Sequence, residues 1–290
     1  MSWIELKLDI PPESLEHLSS YLFAHGCEGI NVTDDGIIIY FTTHRWSNEV
    51  RAGISEYIRQ IIPGFSLKQI RVKSVTDHDW HADWKKHFKP VKVTNRVVIR
   101  PPWEEYHQSQ GEVIITINPQ MAFGTGHHES TRLVMIELEN LIQPDMHILD
   151  VGTGSGILAI MAKKLGAESV LGIDNDVEAI KNATENLQLN DISGAVNFGY
   201  AELENVTPSD YDLVLANINR NTLLKYATLF PDYVKQDGYL VISGVLRRDE
   251  AQISQLYKEN GFSVIKKNVM KDWLAIVFKM KEKKDETGSN

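Results

Sequence analysis

The sequence predicts an α/β fold: a doubly wound, mostly parallel seven-stranded sheet, preceded by a smaller ferredoxin-like α+β domain. Three observations carry this. From about residue 97, short continuous apolar runs alternate with helical runs, the pattern of a parallel sheet covered on both faces. Over the first 75 residues the runs instead read β-α-β-β-α-β. The length of 290 residues is enough for two unequal domains.

The elements follow in order. "WIELKLD" alternates like a strand. "PPESLEHLSSYLFAHG" reads as a helix, with Pro12 near its start, Leu15, Leu18 and Leu22 at helical spacing, and Gly26 closing it. "EGINVT" and "GIIIYF" flank Asp34, Asp35 and Gly36, a hairpin signal. "SNEVRAGISEYIRQII" places Val50, Ile54, Ile58 and Ile61 on one helical face, and "LKQIRVKSV" reads as the last strand. This domain, residues 1–75, is expected to recognise the substrate. Residues 76–93 hold "DHDWHADWKKHFKP" and read as a linker with a short helix packed by Trp80 and Trp84. Those tryptophans either glue two domains together or touch a partner.

Residues 94–280 form the second domain. "RVVIRPPW" and "EVIITINP" come first. Seven strand runs follow: "HILDVG", "SVLGID", "AVNFGY", "YDLVLANI", "GYLVISGV", "FSVIKKNV" and "WLAIVFKM". The intervening helices are "GILAIMAKKLG", "VEAIKNATENLQLN", "TLLKYATLFPDYVKQ" and "RRDEAQISQLYKENG". The last two strand runs have no helix between them, so they predict an antiparallel hairpin at one edge. The charged tail, 281–290, is expected to fray.

Composition narrows the function classes. Thirty Lys and Arg stand against 39 Asp and Glu, a formal net charge of -9. Sequence-independent nucleic-acid binding needs a cationic footprint, so direct nucleic-acid contact is not expected, and a basic protein partner is. Cys27 is the single cysteine, so no intrachain disulfide forms, which suits a reducing cytoplasm. Its plain reading is a small buried hydrophobe. No spaced His/Cys or His-Glu pattern suggests a metal. No signal peptide, no 18-residue apolar run and no membrane association are expected. A monomer is the default.

Two glycine-rich stretches carry the chemistry. In "ILDVGTGSGILAI", Gly152, Gly154 and Gly156 form a turn between a strand and a helix. Glycine there permits positive φ and close backbone approach to a ligand. Ligands of open α/β sheets sit outside the carboxyl ends of the strands, where this turn lies. "VLGID" ends the next strand on Asp174, at the spacing of a ribose-binding carboxylate. A dinucleotide fingerprint needs a third glycine where Ile157 stands. Asp150, just before the turn, would repel a pyrophosphate and attract a cation. Together these favour S-adenosyl-L-methionine, which carries a sulfonium and an ammonium and no phosphate. The second stretch, "NPQMAFGTGHHEST", precedes an apolar helix. It reads as a lid in which Phe123 covers apolar surface. His127 and His128 either serve as polar residues at the helix start or shape the pocket.

"DVGTGSGILAI" resembles the cofactor loop of class I S-adenosylmethionine-dependent methyltransferases, and "MAFGTGHHESTRL" narrows the resemblance to the ribosomal protein L11 methyltransferase family. "DWHADWKKHFKP" and "GCEGI" are similar to that family too, so the likeness spans nearly the whole chain. It implies methyl transfer from S-adenosyl-L-methionine to the α-amine and lysine amines of ribosomal protein L11. It also implies Thr131, Gly152, Asp174 and Asn217 as cofactor-binding residues, Gly154 joining them by its place in the loop. Asn217, at the end of the fourth strand, is the candidate catalytic residue, since its carbonyl oxygen can accept from and orient the amine. The run "NINRNTL" departs from the family's Asn-Ile-Leu-Ala-x-Pro-Leu pattern after that asparagine. Two rivals remain at this point. One is a nucleic-acid base methyltransferase, which would carry a proline pair and an aromatic there. The other is a non-catalytic ribosome-assembly factor.

Overall fold

The structure is a computed structural model that describes residues 2–11, 14, 18, 21–22, 25–33, 36–62, 64–76, 88–119, 126, 128–192 and 194–281. The chain divides into two compact units, Met1–Phe88 and Lys89–Asn290.

The first unit holds β1 (Ser2–Leu8), β2 (Gly29–Thr33), β3 (Gly36–Thr42), α1 (Asn48–Ile61) and β4 (Ile70–Thr76). The strands make an antiparallel sheet in the order β2-β3-β1-β4. Period-two alternation sends Leu6, Leu8, Ile37, Ile39 and Phe41 to one face, where Ile54 and Ile58 of α1 meet them. Ser47 caps α1 by accepting from the Val50 N–H at 3.2 Å. β2 and β3 pair antiparallel up to Thr33 and Gly36, as the hairpin signal requires. Asp34 and Asp35 themselves lie outside the described residues. So does most of the run expected as the first helix, although its Leu18 and Leu22 belong to the core. One boundary differs: Leu67–Gln69 turn as a single 3₁₀ helix, and the strand starts only at Ile70. Ser66 and Gln69 form a capping box that favours this turn over extension. Trp80 and Trp84 lie outside the described residues.

The second unit opens with β5 (Val91–Lys92), β6 (Val97–Arg100) and β7 (Val113–Thr116), a small sheet in which β6 and β7 are parallel. Residues 89–93, placed in the linker by the sequence, belong to this unit, because Val91 pairs with Ile99 and Val93 is buried. Next come α2 (Glu129–Leu141), β8 (His147–Val151), α3 (Ile157–Lys164), β9 (Ser169–Asp174), α4 (Val177–Gln188), β10 (Val196–Tyr200), β11 (Tyr211–Asn217) and α5 (Arg220–Tyr226). β12 (Val234–Leu246), α6 (Glu250–Glu259), β13 (Phe262–Met270) and β14 (Trp273–Met280) complete it.

The large sheet has seven strands in the order β10-β9-β8-β11-β12-β14-β13. The first five are parallel to their neighbours, and β14 is antiparallel to both β12 and β13. The last strand therefore inserts between β12 and β13, leaving β13 at the edge. Both faces are apolar: Ile148, Leu213, Leu215 and Val241 enter one core, while Leu149, Val214, Ala216 and Ile242 enter the other. That two-sided burial is why these strands read as unbroken apolar runs. The chain order reverses between β8 and β11, which opens a crevice at their carboxyl ends.

The run "TLLKYATLFPDYVKQ" is not one helix. α5 stops at Tyr226, and Phe230–Asp232 form a separate 3₁₀ turn. Pro231 lacks the N–H that a continuing α-helix would donate to the Ala227 carbonyl, and the chain turns as a separate 3₁₀ element instead.

Candidate active site

A cavity of about 480 Å³ opens at this crevice. Residues after β8, β9, β10 and β11 form its floor and walls: Gly152, Gly154, Asp174, Glu202, Asn217 and Ile218 among them. Its volume is that of an ordinary small-molecule site.

The loop after β8 is built by glycine. Gly152 has φ 71° and a Cβ there would stand 2.3 Å from Ile218 Cγ2, so only glycine lets the two strand ends close. The Gly152 and Thr153 N–H groups both donate to the Ile173 carbonyl, at 2.8 and 2.9 Å, which ties the loop to the end of β9. Asp174 sits at that end. Its Oδ2 accepts from the Gly154 N–H at 2.9 Å and its Oδ1 from the Asp176 N–H at 3.0 Å. Each carboxylate oxygen keeps a further lone pair toward the cavity.

Asn217 ends β11. Its Nδ2 donates to the Thr131 hydroxyl at 3.1 Å, while its Oδ1 is buried and without a partner among the described residues. A buried acceptor left unmet costs about 1–3 kcal/mol, and Asn217 lines the cavity, so a small side-chain shift would let a ligand supply the missing donor. Thr131 is itself buried and does not line the cavity; its neighbour Ser130 does. Thr131 acts here by fixing which way the Asn217 amide faces.

Asp150 is where the structure departs from expectation. It is fully buried beneath the loop and is not among the residues lining the cavity. Strand alternation turns it away from the face that Leu149 and Val151 occupy. Its Oδ2 accepts from the Thr153 hydroxyl at 2.6 Å. Burial pushes its carboxyl up to about 7; the Thr153 bond opposes this and the charge of Asp174 adds to it. Asp150 is therefore a strut under the glycine loop. The carboxylates at the cavity are Asp174, Asp176 and Glu202, and no Lys or Arg lines it among the described residues. That wall repels phosphate and favours a cationic ligand.

His128 caps α2: its Nδ1 accepts from the Ser130 N–H at 3.2 Å, and its ring packs edge-on against Trp273 at 4.6 Å. Burial lowers its pKa, which keeps Nδ1 an acceptor; Glu129 opposes this and Lys271 adds to it. Phe123 and His127 lie outside the described residues.

Several site residues carry no sequence signal of their own. Glu202 and Trp273 reach the cavity as single residues beside strand ends. Asn219, in the run that departs from the family pattern, caps α5 by accepting from the Thr222 N–H at 3.0 Å. Gly244, inside a strand run, has φ 86° and meets the Ile218 carbonyl, where a Cβ would stand at 2.2 Å. A glycine interrupting an apolar strand was the available clue to that close approach. Among the described residues no group of three His, Cys, Asp or Glu is placed to hold a metal, and no helix is long and apolar enough to cross a membrane.

Comparison with known proteins gives the family. Residues 2–281 match the family described as Ribosomal protein L11 methyltransferase (PrmA). A ribosomal protein L11 methyltransferase of Alkaliphilus oremlandii (strain OhILAs) is 30% identical over 311 aligned residues, covering 97% of this chain and 99% of the relative. A second, from Ruminiclostridium cellulolyticum, is 39% identical over 207 residues, covering 71% of this chain and 66% of the relative. The crystal structure of ribosomal protein L11 methylase from Lactobacillus delbrueckii subsp. bulgaricus superposes with a TM-score of 0.64 at 32% identity, covering 67% of this chain and 100% of that one. With a family match over residues 2–281 and relatives aligned over nearly its full length, the chain belongs to the ribosomal protein L11 methyltransferase family.

Proposed function

We propose that the chain transfers methyl groups from S-adenosyl-L-methionine to the α-amine and lysine amines of ribosomal protein L11, in the cytoplasm. The observation that carries this is Asn217, a residue that lines the cavity and whose buried Oδ1 has no partner among the described residues, in a chain of this family. An acceptor at that place suits an N–H of an amine.

The residues present fit the cofactor. Asp174 retains lone pairs for two ribose hydroxyls, Gly152 and Gly154 give backbone approach, and Asp176 adds negative potential, while Glu202 is paired with Lys225 at 3.2 Å. Bound there, S-adenosyl-L-methionine would supply an electrophilic methyl on a sulfonium. The protein's part is alignment and exclusion of water. Thr131 fixes the Asn217 amide, and Asn217 Oδ1 accepts from the incoming amine and turns its lone pair toward the reacting centre. The amine must arrive neutral. An α-amine of pKa about 7.7 is about one-sixth neutral at pH 7, whereas a lysine near 10.4 is neutral about once in 2,500. Lysines therefore need desolvation at the cavity, with the ammonium proton leaving to solvent before the amine reaches the methyl.

The first unit, Met1–Phe88, is the proposed docking surface for L11. A single amine offers too little area to identify one protein. The test is incubation with methyl-radiolabelled cofactor and purified L11. Label in L11 is expected; label absent from L11, with the protein folded and the cofactor bound, overturns the proposal.

A further inference from the structure

Asparagines recur at positions 182, 186 and 190, on and just past α4, and all three are buried. Buried amides are tolerated where their donors and acceptors are met. Asn190 Oδ1 accepts from the Thr116 N–H at 2.8 Å, and its Nδ2 donates to the Thr116 carbonyl at 2.6 Å. Those are the two bonds a neighbouring strand would make. β7 is an edge of its sheet, so the side chain takes the place of the missing strand.

One turn earlier, Asn186 Oδ1 accepts from the Asn118 N–H at 2.8 Å. Its Nδ2 donates to the Ser155 carbonyl at 2.8 Å. Another turn back, Asn182 Nδ2 reaches the Asn118 carbonyl at 3.5 Å. The spacing has a simple origin. Four helical residues rise about 6.0 Å and two extended residues about 6.6 Å, so side chains one turn apart meet alternate residues of an extended segment.

Asn186 differs from Asn190 in what it joins. Asn190 ties α4 to residue 116 alone. Asn186 ties the same segment to Ser155, which lies between Gly154 and Gly156 in the loop under the cavity. Ser130, twelve positions after Asn118 in the sequence, lines the cavity. Leucine at 186 would satisfy burial but could hold neither backbone group.

We propose that Asn186 is a positioning residue. It locks the glycine loop to the backbone at Asn118, just past β7, and so holds the loop in its cofactor-binding form. The cofactor part rests on the reaction proposed above.

The test compares Asn186→Ala with Asn190→Ala. Each removes one buried amide, so a role in packing alone lowers Tm in both and leaves the loop alike in both. The positioning role gives a split. Asn186→Ala speeds amide hydrogen exchange at Gly154 and Gly156 and weakens S-adenosylmethionine binding about tenfold in calorimetry, while kcat at saturating cofactor stays near wild type. Asn190→Ala moves neither. Asn186→Asp keeps the acceptor for Asn118 but loses the donor to Ser155, so it should follow Asn186→Ala at the loop. Equal loop exchange in the two alanine variants overturns the inference. That arm needs no cofactor, so its result stands apart from the fate of the proposed reaction. Should Asn186→Ala not fold, the wild-type protein decides: the Asn118 N–H must gain protection when cofactor saturates the site, and unchanged exchange there overturns the coupling.

Discussion

The two units bury apolar residues alike but differ in the polar groups they bury. Among the described residues of the first unit, the buried polar side chains are Thr42 and Ser55, and Ser55 bonds only within its own helix, to the Arg51 carbonyl. In the second unit, Thr116, Ser130, Thr131, Glu137, Asp150, Thr153, Ser155, Asn182, Asn186, Asn190, Ser243 and Ser254 are buried, and Asp150 and Asn186 bond residues of the glycine loop. Burying such groups is costly and is tolerated only where their bonds are made. The first unit is thus held by its core, and the second spends part of its stability on fixing backbone around a cavity. Cys27 belongs to the first kind: it is buried, and burial pushes its thiol up to about 11, so it packs without reacting.

The largest expected effect separates the units outright. A chain starting at Lys89 keeps β5 paired to β6 and keeps every residue lining the cavity. It should bind S-adenosylmethionine normally and lose methylation of L11 by about a hundredfold or more, because docking area is gone. Full transfer by the shortened protein, measured with radiolabel, would remove recognition from the first unit. Next in size, Asp174→Ala should weaken cofactor binding by about tenfold or more, since it loses ribose acceptors and frees the Gly154 N–H. Ser55→Ala, its counterpart in the first unit, should leave that affinity unchanged. Calorimetric titration of both variants checks the contrast.

Much of this contrast was legible in the sequence. Positive φ at Gly152, Gly154 and Gly156 admits few residues but glycine, so the loop announced itself. Asp174 followed from its distance, and the strands from two-sided burial. Other features were not. The asparagines of α4 look, by polarity alone, like any solvated helix face, and only tertiary partners show them buried. Asp150 was expected at the ligand because sequence adjacency to the loop does not say which face of β8 a residue takes. Glu202 and Trp273 come from distant strand ends, with no spacing rule linking them to the glycines. The helix after β11 ended early because Pro231 outweighed a favourable apolar period.

Two smaller effects concern titration. Asp150 has a folded pKa raised to about 7, so the stability it contributes is fully present below its unfolded value and is lost as pH rises through about 7. Asp150→Asn mimics the protonated acid, so its Tm should fall less than wild type between about pH 4 and pH 7, with no further divergence above that range. A wild-type Tm that does not fall more steeply than the variant's would contradict this. His128 runs the other way. Its folded pKa is depressed by burial, so its contribution is present at and above the ordinary histidine range and is lost as pH falls through the lowered value. His128→Ala should cost about 1 kcal/mol at neutral pH through loss of the α2 cap, and the gap to wild type should close in acid. Chemical denaturation at several pH values measures it.

The central claim is that a single free oxygen at the end of β11 turns a cofactor site into a methyl-transfer site. Asn217→Ala tests it most directly, with cofactor affinity and transfer to L11 measured on the same preparation. Affinity should stay within about threefold of wild type, and transfer at saturating L11 should fall about a hundredfold, the usual scale for losing one orienting polar group at a reacting centre. Transfer at the wild-type rate with saturating L11 would contradict the account, because the unpartnered Asn217 Oδ1 would then have no part in holding the amine.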